Sequence, residues 1–82
     1  MSDARSIRVR CRSEFATPDG AGLLASDPRA RTLRKVLVSY PEVRHIRPDC
    51  ISLDATADAR TIDTVVRFLE RQQWLVATVV VE

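Results

Sequence analysis

Glycine occurs only twice in these 82 residues, cysteine twice, histidine once and aromatic side chains four times. Each scarcity removes a class of function. With so little glycine there is no phosphate-cradling loop. Gly20-Ala21-Gly22-Leu23-Leu24-Ala25 matches a dinucleotide fingerprint in letters alone. That motif needs a strand running directly into it and a helix opening inside it. Here Pro18-Asp19 precedes it and the next helix signal is Asp27-Pro28, so the stretch reads as a turn and loop with a Leu23-Leu24 contact point.

Two cysteines, Cys11 and Cys50, make neither a disulfide framework nor a paired metal motif. His45 has no second ligand at metal spacing and reads as a surface strand residue. Asp49, Asp54, Asp58 and Asp63 form no recognisable acid pair or metal loop. Catalysis is therefore the weakest class, and the expectation is no enzyme, no cofactor and no metal. No apolar run approaches the ~18 residues of a membrane span. Met1-Ser2-Asp3-Ala4-Arg5 leads into no signal-peptide core, so the cytoplasm is the expected location.

What is present begins at Ile7-Arg8-Val9-Arg10-Cys11-Arg12, a strict alternation of apolar residues with arginines. A period of two marks a half-buried strand. Ile7, Val9 and Cys11 should face a core, and Arg8, Arg10 and Arg12 should line the open side. Charge is uneven along the chain. The net value of +2 combines a first part, residues 1–47, at +5 with residues 48–82 at −3. Twelve of the thirteen basic residues are arginine, which grips carboxylate or phosphate bidentately. The near-neutral total argues against a dedicated nucleic-acid binder.

The remaining pattern predicts one domain over residues 1–82, with 1–5 frayed. The first strand spans about Ser6 to Glu14. Asp27-Pro28 caps and starts a helix with the stripe Ala30, Leu33, Val36, Leu37, Tyr40, stopped at Pro41. Val43 and Ile46 anchor a short strand, Pro48-Asp49 turns the chain, and Cys50 to Ala55 alternates with Ile51, Leu53 and Ala55 inward. A second helix over about Asp58–Gln73 carries Ile62, Val65, Val66 and Leu69, capped by Thr56 or Asp58. Trp74–Glu82 is a last β-rich run, with Val76, Thr78 and Val80 placed on the arginine side.

The order β-α-β-β-α-β predicts an α+β, ferredoxin-like sandwich: a four-stranded antiparallel sheet, order 4-1-3-2, with two helices on one face. Pro41-Glu42-Val43-Arg44-His45-Ile46, Ile51-Ser52-Leu53 and the helix up to Trp74 resemble the second half of a heavy-metal-associated domain. That family holds metal in a CxxC loop after its first strand. Cys11 stands alone there, so the metal function does not carry over. The length, the strand pattern and Asp27-Pro28 also look like the small oligomeric subunit of formylglycinamidine ribonucleotide synthase. Neither resemblance is adopted.

Two features suggest binding. Arg8, Arg10 and Arg12 would lie across from Cys50, Ser52 and Asp54, with one arginine paired to Asp54. The last strand is long, branched and uncharged, a liability at a sheet edge unless covered. Val76 and Val80 would sit there on the same open side as the arginines, beside a helix that leaves Phe68 on its flank. The expected function is a small regulatory or adaptor protein that engages an acidic protein, or its own copy as a homodimer, through Arg8, Arg10, Arg12, Val76 and Val80. An accessory subunit of a larger enzyme complex is the alternative. Weak nucleic-acid or polyanion binding through those arginines with Arg29, Arg31 and Lys35 is the other. Base-stacking aromatics are missing from the central strands, which weighs against RNA reading.

Overall fold

In the computed structural model, residues 5–16 and 21–82 are described. Strand β1 (Arg5–Cys11) is followed by a short helix α1 (Ser13–Ala16) and a single 3-10 turn (Gly22–Leu24). Then come helix α2 (Pro28–Val38), strands β2 (Val43–Arg47) and β3 (Cys50–Leu53), helix α3 (Ala59–Arg71) and strand β4 (Val76–Val81). The four strands form one sheet in the order β2-β3-β1-β4, every neighbouring pair antiparallel. Read from its other edge, that order is β4-β1-β3-β2. The structure is thus α+β, with an open four-stranded sheet and three helices.

The alternation in β1 sets the two faces. Ile7, Val9 and Cys11 are buried, and Arg8 and Arg10 are exposed. Ile51 and Leu53 of β3 join the first set in one cluster with Leu33 and Leu37 of α2 and Ile62, Val65 and Leu69 of α3. Both long helices therefore press on the same sheet face, and no described element covers the other, the bare face. Each starts where its cap dictates. The Asp27 carboxylate accepts the Arg29 N–H and Pro28 follows it, whereas the Asp58 carboxylate accepts the Thr61 N–H. Asp58, not Thr56, is the cap of α3.

The structure shortens several elements. β1 stops at Cys11 because Ser13–Ala16 coils into α1, and β3 stops at Leu53 because Asp54 accepts the Thr56 N–H in a local turn. Arg5 is already in the strand, opposite Leu53. The expected fraying of residues 1–4 and the expected turn at Pro18-Asp19-Gly20 fall outside the described residues. Leu23 is fully buried while Leu24 is exposed, so the predicted contact point is Leu23.

Gly22 ties the loop to the hairpin. Its φ is +50°, and a Cβ there would run into the Pro48 carbonyl oxygen. That same oxygen accepts the Leu23 N–H at 2.9 Å. Only glycine meets both demands at this position.

A candidate interface on the open sheet face

Register decides which side chains share the bare face. Residues paired across neighbouring strands point to the same side. The Pro48-Asp49 turn sets Arg47 opposite Cys50, Cys50 lies opposite Arg8, and Arg8 lies opposite Val80. These four residues form one continuous row over all four strands. A second row runs His45, Ser52, Ser6, where Ser6 and Glu82 exchange backbone hydrogen bonds. Arg10 and Thr78 make a third, shorter row.

Two of the expected arginines therefore stand where the alternation put them. Arg8 and Arg10 are both exposed on the bare face. Arg12 is not in the row: β1 has ended, and its Nε donates to the Gln73 carbonyl. The expected facing of Arg10 and Arg12 by Ser52 and Asp54 is also corrected. Antiparallel pairing runs the strands the other way, so Ser52 faces Ser6 and Arg8 faces Cys50. Asp54 pairs instead with Arg44, at 2.9 Å, and Arg44 is the extra residue where the β2–β3 register shifts.

Val76 is a second correction. It is 4% exposed and belongs to the core, opposite Cys11. The register of β1 against β4 slips between Arg10 and Cys11, so Arg10 meets Thr78 but Cys11 meets Val76. Ala77 is the extra residue of this bulge, which turns over the start of β4. Val80, beyond the bulge, keeps the expected place and is 54% exposed.

Sequence reasoning missed His45 and Arg47 as members of this face. A two-residue hairpin turn would have found Arg47, because it places the flanking residues directly opposite each other. Arg8 Nε donates to the Glu82 carboxylate at 2.7 Å, an ion pair exposed on both sides. Hydrogen bonding to Glu82 raises the Arg8 pKa above its ordinary value. Among the described residues no carboxylate pairs with Arg10 or Arg47. The bare face thus keeps a basic character at its centre and along the β2 side.

All four aromatics pack on the core instead. Phe15, Tyr40, Phe68 and Trp74 lie against the buried cluster, Phe15 and Trp74 edge-to-face at 5.7 Å. Arg29 lies over the Trp74 ring at 4.3 Å and pairs with Asp27. Arg31 and Lys35 project from α2, on the helical side of the domain, so they form no single patch with Arg8 and Arg10.

Cys11 and Cys50 lie on opposite sheet faces and both are free thiols. Burial, followed by the Asp49 charge, pushes the Cys11 pKa up. A concavity of about 460 Å³ opens between the end of β1, Phe15, Gly22 and the Pro48-Asp49 turn. Among the described residues no cluster of three or more His, Cys, Asp or Glu could hold a metal ion. Among them, too, no helix is long and apolar enough to cross a membrane. No family model, curated protein or solved structure matches the chain.

Proposed function

We propose that this protein is a small non-catalytic regulatory or adaptor module of ferredoxin-like architecture, acting in the cytoplasm. It works by docking an acidic protein partner on its open sheet face. The ferredoxin-like reading is supported by the all-antiparallel order β4-β1-β3-β2 with α2 and α3 packed on one face. Right-handed crossovers, the rule for such connections, complete that fold.

One observation carries the functional reading. Arg10 of β1 and Arg47 of β2 stand on a sheet face that no described element covers, with β3 between their strands and, among the described residues, no carboxylate paired to either. Arg10 and Arg47 present forked donors on a rigid sheet, the geometry that grips carboxylates. Arg8, on the same strand as Arg10, already holds one, that of Glu82. The small Cys50 and Ser52 of β3, between those two strands, leave room for side chains to reach in. An RNA-reading sheet would carry aromatics there, and this protein buries its own against the core.

The test is retention of the pure protein on immobilised polyglutamate at about 50 and 200 mM salt, since screening weakens exposed charge pairs over that range. The wild type is retained at the lower salt, and Arg10→Glu with Arg47→Glu loses retention. Equal elution of wild type and double variant would sink the proposal. Preference for heparin or DNA over polyglutamate at matched salt would move the reading to a polyanion binder.

A further inference from the structure

The outer edge of β4, paired with no described strand, has a specific occupant. We infer that it pairs with β4 of a second copy, antiparallel about a twofold axis at Val80, joining two sheets into one of eight strands. This names the second partner of the binding module proposed above and rests on that reading only for its biological purpose.

The backbone hydrogen bonds show which groups are free. Glu82 and Ser6 exchange both of their main-chain bonds, Ser6 N–H to Glu82 at 3.5 Å and Glu82 N–H to Ser6 at 2.9 Å. Bonded and non-bonded pairs alternate along an antiparallel ladder. Val80 and Thr78 therefore bond toward β1, while Val79 and Val81 aim their N–H and C=O groups off the edge. The Val9 N–H agrees with this parity: it turns the other way, to Asp49, at 2.8 Å.

Side chains select the copy and the register. β4 reads Val-Ala-Thr-Val-Val-Val and has no charge. The opposite edge, β2, carries Arg44 and Arg47, and two such edges would set like charges against each other. Pairing β4 with a partner's β2 would not close and would run on as a fibre, whereas β4 with β4 closes at two copies. In the register centred on Val80, Val79 of each copy bonds the partner's Val81, which uses every one of the free groups just described.

That register also covers apolar surface. Val80 and Val81, 54% and 47% exposed, are two of the four large exposed apolar residues among those described. Val80 would meet the partner's Val80 in a non-hydrogen-bonded pair, where Cα atoms approach to about 4.5 Å. The two Arg8 residues would stand three strand spacings apart, about 14 Å, beyond the screening length of about 8 Å in physiological salt. No charge opposes the union.

The experiment is light scattering at about 200 µM with three variants, a concentration suited to an interface of one strand pair. The wild type gives twice the chain mass, and Val80→Lys gives the monomer mass with unchanged circular dichroism. Disulfide trapping, in a Cys50→Ser background, reads the register. Val80→Cys cross-links to its own copy under mild oxidation, because its Cα separation suits a disulfide. Thr78→Cys does not, since four residues of displacement put the two thiols about 14 Å apart along the strands. A monomeric wild type, a dimer that survives Val80→Lys, or Thr78→Cys cross-linking as fast as Val80→Cys would each overturn the inference. Polyglutamate retention is read separately: a retained monomer defeats the edge pairing alone, and an unretained dimer defeats the acidic-partner reading alone.

Discussion

Cys11 faces Val76 across the β1–β4 ladder, and both side chains are buried, although Arg10 one step earlier faces the exposed Thr78. The slip between these two pairs turns the first residue of β4 into the core. It gives Ala77 a structural role that its size hides.

The bulge predicts a stability order. Val76→Ala costs about 1–3 kcal/mol by loss of a buried branched side chain. Thr78→Ala, on the bare face, stays within about 0.5 kcal/mol. Deleting Ala77 lowers the urea midpoint less than Val76→Ala does, because it makes the ladder regular and leaves Val76 directly before Thr78, still opposite Cys11 on the core side. Urea melts at low micromolar concentration give all three values.

Gly22 predicts a second effect. Gly22→Ala needs a left-handed backbone and drives a methyl group into the Pro48 carbonyl. The expected loss is about 2 kcal/mol or more, at the upper end of backbone strain costs. Ala21, also left-handed at φ 58°, is the control: Ala21→Gly relieves strain and shifts stability by under about 1 kcal/mol. Thermal melts of both variants separate the close approach from the backbone angle alone.

Acid should weaken the helix starts. The Arg29 side chain, then its N–H, lowers the Asp27 pKa, and the Thr61 N–H, then its side chain, lowers that of Asp58. The Thr56 N–H does the same for Asp54. A folded pKa below the unfolded one adds stability that is present above the unfolded value, about 3.9, and lost as pH falls through the folded value. Melting temperature is therefore expected to drop below about pH 4. In Asp58→Asn, which keeps a capping oxygen but no charge, the drop is shallower. Thermal melts from neutral to strongly acid pH check both.

The two thiols should separate by accessibility. Cys50 is half-buried on the bare face and reacts with a thiol reagent such as DTNB in the native protein. Cys11, 7% exposed and with its pKa raised by burial, reacts only on unfolding. Stoichiometry rising from one equivalent to two on adding denaturant is the expected result. Two fast equivalents in the native state would contradict the assigned faces.

Much of this was legible along the chain. Ile7, Val9 and Cys11 alternate with arginine, and a period of two leaves little choice of face. Asp27-Pro28 marks a helix start through its own chemistry, so α2 begins there; for α3 the sequence offered Thr56 or Asp58, and the structure chose Asp58. Val76 was misplaced because Val-Ala-Thr-Val-Val-Val is apolar on both faces, and such a run contains no binary pattern to reveal a bulge. Arg12 was misplaced because the alternation continues one residue beyond the strand that it describes.

Local chemistry alone determined the four strands, the two long helices, the Asp27 cap and the inward set of β1, since each depends on near neighbours in the chain. The pairing of Arg8 with Glu82, the row from Arg47 to Val80 and the inward turn of Val76 were decided only by the assembled sheet. Hydrogen-bond register between strands distant in sequence is a collective property. It follows from how four backbones fit over one core, and no single segment encodes it.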